Sequence, residues 1–186
     1  PLTAQLGVFG KNIDAPLLKE FLVAVPAKFK YWDICLNHKN LFSLEGYTIY
    51  ERMNYVLSPD KNYEELYRNY RENTKRNIKR AQQAGCYAAI DFNPAEVIQL
   101  AKEQLREFGE EKSYFESFLK LYDFLHQKKQ AVTYGIYSAN KQLLASCIFF
   151  FSHKRAYYIL AVNHPDGKTI GASHMLIDAF IKDYAG

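Results

Sequence analysis

The sequence predicts an α/β (α+β) fold, a mixed sheet flanked by helices and carrying an antiparallel three-strand meander. Three observations predict it. Residues 130–138 alternate apolar side chains with small and polar ones, 142–152 and 156–163 are further strand-like runs rich in apolar residues, and short polar turns at 139–141 and 153–155 separate them. Asn93-Pro94-Ala95-Glu96 and Ser113-Tyr114-Phe115-Glu116 have the spacing of helix capping boxes. A small-residue stretch, 166–173, then feeds a last apolar segment that reads as a helix ending near Gly186.

In chain order, 2–9 reads as a strand. Asp14 caps a short helix carrying Leu17, Leu18, Phe21, Leu22 and Val25, which Pro26 stops. Residues 29–36 and 47–57 read as two further strands. One long helix is expected from Ser58-Pro59 to the stop at Gly85. At helical spacing Tyr63, Leu66, Tyr67, Tyr70, Ile78, Ala81 and Ala84 share one face. Lys61, Arg68, Arg71, Lys75, Arg76 and Lys79 share the other. Residues 86–92 read as a strand, followed by a helix from Asn93 to Gly109. A second helix from Ser113 buries Phe118, Leu119, Tyr122 and Leu125, and the meander follows.

Composition narrows the class. With 48% hydrophobic residues and 24% charged ones, 186 residues suffice for a sizeable core in one domain or two small ones. The net charge of +4 equals the excess carried by residues 61–84, so the positive charge is local. Fifteen tyrosines and thirteen phenylalanines fill a core and strands, or line an aromatic groove for an extended ligand. Cys35, Cys86 and Cys147 sit far apart in strand-like contexts and read as free core thiols of a reducing compartment. No apolar run reaches the ~18 residues of a membrane helix and no signal peptide opens the chain, so a soluble cytoplasmic protein is expected. Opening on Pro1, it is expected to be a fragment or a processed form. The five histidines are scattered without ligand spacing, which argues against a metal site.

Three candidate sites stand out. Gly167, Lys168, Gly171, Ala172 and Ser173 form a glycine-bearing loop before the last helix, where backbone N–H groups, a helix dipole and a lysine suit a phosphate or carboxylate. The ordinary alternative is a turn and a helix start. Asn163 and His164, ending the third meander strand, are positioned to relay a proton from an amine, or serve only as turn residues. The basic face with Arg68, Arg71, Lys75, Arg76 and Lys79 suits a polyanion such as tRNA, or is a solvated face supported by Glu64–Arg68 and Glu72–Arg76 pairs.

The order strand, two helices, three strands, helix resembles the first half of the GNAT acyltransferase fold. More narrowly, the run Tyr70-Arg71-Glu72-Asn73-Thr74-Lys75-Arg76-Asn77-Ile78-Lys79-Arg80-Ala81 with Gly85, and the segment 144–183, are similar to the Fem-type branch. That branch builds peptidoglycan cross-bridges from two GNAT-like units in tandem. The resemblance implies that 1–57 closes a first unit, 58–85 is a basic connecting helix, and 86–186 opens a second unit. It implies an acyltransferase that moves an acyl or aminoacyl group from acyl-CoA or aminoacyl-tRNA, with no tightly bound cofactor, to a primary amine such as one on a cell-wall precursor. It further implies that main-chain groups at Leu160, Ala161 and Val162 hold the donor and polarise its carbonyl. Two departures stand out. The family's CoA loop, Arg/Gln-x-x-Gly-x-Gly/Ala, is matched only by Lys168-Thr169-Ile170-Gly171-Ala172-Ser173, and the closing strands that often carry the general acid are expected to be missing after Gly186. The rival is a catalytically silent module that binds a polyanion or a protein. If the loop binds a donor, Gly171→Val is expected to abolish binding and leave the fold intact.

Overall fold

The computed structural model describes residues 6–105 and 112–186, and the chain divides into two units, 1–56 and 57–186.

In the first unit, Asp14 accepts the Leu17 N–H at 2.9 Å and Pro16 occupies the first turn, which together start helix α1 (Ala15–Val23). Leu18 and Leu22, at i and i+4, pack with Leu44, and Ile34, Leu36, Phe42 and Tyr47 lie around them. The strands expected over 29–36 and 47–57 do not form. A single bridge, Leu6 with Leu36, is all that pairs there among the described residues. Side-chain amides take over the work of a ladder. Asn40, fully buried, accepts the Val8 N–H at 2.7 Å and donates to the Val8 carbonyl at 3.1 Å, and Asn37 donates to the carbonyls of Leu6 and Val8. Asn40→Ala therefore strips the Val8 N–H of its partner and leaves the Val8 carbonyl with Asn37 alone. We expect it to cost this unit about 2–3 kcal/mol, read as faster amide exchange and earlier proteolysis around residues 6–9, with Lys39→Ala as an unaffected control.

The second unit holds the sheet. The expected long helix is two: α2 (Tyr63–Arg68) and α3 (Glu72–Gln83). Asn62, rather than Ser58, is the N-cap, accepting the Glu65 N–H at 2.9 Å. The chain turns at Asn69 and Tyr70, with Arg71 extended at φ −60, ψ 145. Gly85, at φ 74, closes α3: its N–H bonds Gln82 and that of Cys86 bonds Ala81.

Strand β1 (Tyr87–Ile90), helices α4 (Pro94–Leu105) and α5 (Lys112–Gln127), strands β2 (Ala131–Tyr137), β3 (Leu143–Ser152) and β4 (Arg155–Asn163), and helices α6 (Pro165–Ile170) and α7 (Ala172–Tyr184) follow. The closure expected at Gly109 lies outside the described residues, as does the side chain of Ser113. The four strands lie in the order β1-β2-β3-β4, all antiparallel. Helix α7 packs on β2 and β3, and α3 packs on α7; α4 packs on β4 and β3. The core between sheet and α7 includes Tyr134, Ile136, Cys147, Phe149 and Leu176, with Phe180 against it. Cys86 and Cys147 are buried, whereas Cys35 is exposed because the strand that was to bury it does not form. No helix among the described residues is long and apolar enough to cross a membrane.

Candidate functional site

The sheet is interrupted at one place that matters for chemistry. Ser146 pairs with Val162 and Ile148 with Ile159, so Leu160 and Ala161 together oppose the single residue Cys147. This is a β-bulge, which leaves a residue out of the ladder and bends the strand. Leu160 sits at φ 47, a left-handed conformation that an L side chain adopts at a cost. The bulge lies on β4, which pairs with β3 on one side and with no strand on the other among the described residues. Its outer N–H and C=O groups face away from the ladder. One of them is occupied: the Asn163 N–H donates to Gln104 Oε1 at 3.3 Å. The Asn163 Oδ1 is buried with no hydrogen-bond partner among the described residues. Burial pushes the Cys147 thiol well up, so it is a neutral core group rather than a nucleophile.

The segment after β4 is a helix where a loop was expected. His164 caps α6 by accepting the Asp166 N–H on Nδ1 at 3.2 Å, and Pro165 takes the first helical position. The same ring meets the Gln142 side-chain amide through Nε2 at 3.2 Å, and the His164 N–H donates to the Leu144 carbonyl at 2.8 Å. His164 is thereby fixed beside the end of β4, with its acceptor nitrogen used by the cap.

The glycines have structural causes. A Cβ on Gly167 would lie 2.2 Å from the Leu144 carbonyl oxygen, so only glycine lets α6 reach β3. Gly171 ends α6 and starts α7 at φ 83, and a Cβ there would meet Asn77 Cβ at 2.7 Å and its carbonyl oxygen at 2.8 Å. The expectation that Gly171→Val spares the fold is therefore corrected: the close approach is to the backbone of α3. The Gly171 N–H is satisfied by the Gly167 carbonyl. Lys168 is exposed on α6, Ala172 is buried, and Ser173 in the first turn of α7 lines a cavity.

Two sites that looked separate in sequence are neighbours. Arg80 donates to the Thr169 carbonyl at 3.1 Å and Asn77 touches Gly171, so α3 runs against the α6–α7 junction. Of its cations, Lys75 pairs with Glu72 at 2.9 Å and Arg76 donates to Asn73. Arg68, Arg71, Arg76 and Lys79 are exposed.

Sequence reasoning missed Asp178. It is 7% exposed, on α7, and its Oδ1 accepts the Tyr63 hydroxyl at 2.9 Å. Burial raises its carboxyl pKa, against the opposing pull of Tyr63, Tyr70 and Lys182. A carboxyl raised in the folded state contributes most below its unfolded pKa, and that contribution fades as pH rises through the folded value. The only signal was an acid set among apolar neighbours in mid-helix, Ile177-Asp178-Ala179-Phe180.

Residues 68–186, more than half of the chain, match the model of the acetyltransferase (GNAT) domain family. No curated protein matches the chain. The sheet with its meander, the helices on both faces and this match lead to one conclusion: the chain belongs to the family of GNAT acetyltransferase domains, which work on an acyl donor and an amine acceptor.

Proposed function

We propose that residues 57–186 bind an acyl-CoA along the outer edge of β4 and transfer its acyl group to a primary amine. The observation that carries this reading is the two-against-one bulge at Leu160 and Ala161, placed on the unpaired edge of the sheet. An extended donor arm adds to such an edge as a strand would, and a preorganised backbone group beside it polarises a carbonyl without reorganising. The thioester supplies the activated acyl group. The chain's own contribution is to orient it at Leu160, Ala161 and Val162, and to offer Lys168 near the α6–α7 junction to the donor's phosphates. Asn163, with its unpartnered Oδ1, and His164 stand at the end of that edge as candidates to guide the amine.

Binding of acetyl-CoA and longer acyl-CoAs is expected to raise the thermal unfolding midpoint. Lys168→Ala should weaken binding by about three- to tenfold at low salt and by less at high salt, because an exposed charge is screened. A flat midpoint across all acyl-CoAs would remove the reading.

The exposed cations of α2 and α3 favour a second reading, the Fem-type one, with aminoacyl-tRNA as donor and a cell-wall precursor as acceptor. Its mark would be tRNA affinity that falls steeply with salt and drops when Arg71 and Lys79 are neutralised. tRNA binding without any transfer would instead favour the silent polyanion-binding module.

A further inference from the structure

We propose that a cavity beside α7, lined by Tyr70, Tyr158, His174, Ile177 and Asp178, is a recognition site for an organic ammonium group, held on the Asp178 carboxylate. The cavity has a volume of about 290 Å³ and lies wholly within the second unit. Three features specify its occupant. First, Asp178 is a buried carboxylate whose partners are incomplete. Tyr63 donates to Oδ1, and no cation closes an ion pair with it among the described residues, although Lys182 stands one turn away with its Nζ over the Tyr63 ring at 5.8 Å. A buried charge ordinarily has its counter-ion.

Second, His174, which lines the cavity, has a buried ring nitrogen, Nδ1, with no hydrogen-bond partner among the described residues, and the Tyr70 hydroxyl lies close enough to the Asp178 carboxylate to draw its pKa down. Unsatisfied buried groups are uncommon, and the residues concerned line the same cavity as the carboxylate. Third, the remaining lining is largely aromatic and aliphatic, with Tyr70, Tyr158, Ile177 and Ile181 beside Thr74 and Ser173. A carboxylate among hydroxyls and aromatic residues suits a cation borne on carbon and disfavours an anion.

The site deepens the acyltransferase reading, and rests on it only for the claim that the held cation belongs to the amine acceptor. Tyr158 lies two residues before the bulged Leu160 on β4, so the anchored group would sit beside the proposed donor edge. The anchored ammonium is charged, so it serves recognition; a nucleophilic amine must be neutral.

The test is a titration of the full chain with benzylammonium chloride, followed by amide shifts in NMR, with benzyl alcohol as the neutral counterpart and no acyl donor present. Saturable shifts over residues 173–181 are expected from the cation alone. Asp178→Asn, which keeps the shape and the Tyr63 contact, should weaken binding by about tenfold or more at an unchanged melting temperature. Should that variant fold poorly, Tyr70→Phe serves in its place, with an expected loss of about threefold. Equal shifts from benzyl alcohol, full affinity in both variants, or no saturable shift near α7 would each overturn the proposal. If acyl-CoA binds while benzylammonium does not, this inference alone falls. If the reverse holds, the cation site stands and the donor reading falls.

Discussion

Gly171→Ala is expected to destabilise the second unit by about 3–4 kcal/mol, and Gly171→Val by more. Two costs add. A φ of 83 penalises any L side chain by about 1–2 kcal/mol. The added Cβ then lies 2.7–3.0 Å from Asn77 Cβ, Cα and carbonyl oxygen, and backbone cannot rotate aside as a side chain can. Helix α3 must retreat from α7, opening the contact around Ile78 and Ala81. Calorimetry should show a midpoint lowered by roughly 10 °C. Gly46→Ala separates the two costs, since Gly46 has φ 85 with nothing within 4 Å of the added Cβ. That variant should pay the conformational part alone. Equal losses at both positions would mean that the approach to Asn77 contributes nothing.

Phe149→Ala should remove about 3–5 kcal/mol. Phe149 is 4% exposed at the centre of β3, stacked on Phe180 at 3.6 Å between centroids and edge-on to Tyr134 at 5.6 Å. These rings join the sheet to α7, so truncation leaves a cavity that neither rigid layer can close. Urea unfolding should show a lower midpoint with an unchanged slope, and a loss below about 1 kcal/mol would show that the interface repacks.

The elements most legible in the sequence were those whose local chemistry and tertiary setting agree. The apolar runs of β2 and β3 coincide with strands that are buried on both faces, and the turns carry residues able to take left-handed backbone, such as His153 and Lys154 at φ 50 and 59. Residues 29–36 and 47–57 carry similar aromatic and branched residues, but a strand exists only through its partner, and no local pattern names one. The break at Asn69–Tyr70 was hidden because Tyr63, Leu66 and Tyr70 fit one continuous helical face. Helix α6 was missed although His164-Pro165 is a legible start, because Gly167 and Gly171 read as loop formers when they are contact points with Leu144 and Asn77. The bulge could not be read at all. It is a counting difference between two strands, visible only once both are paired. Asp178 acquires meaning in the same way, from Tyr63, 115 residues away in sequence.

The bend at Leu160 also bears on how copies of this chain behave in company. The outer edge of a nine-residue strand, paired on one side only among the described residues and carrying the exposed Tyr158, is a template on which another molecule's strand can grow. The kink divides that template into 155–159 and 162–163, either side of a residue whose backbone no flat neighbour can match. A feature that shapes a binding edge is thus expected to double as protection against self-association, because the strained leucine interrupts the ladder another chain would need.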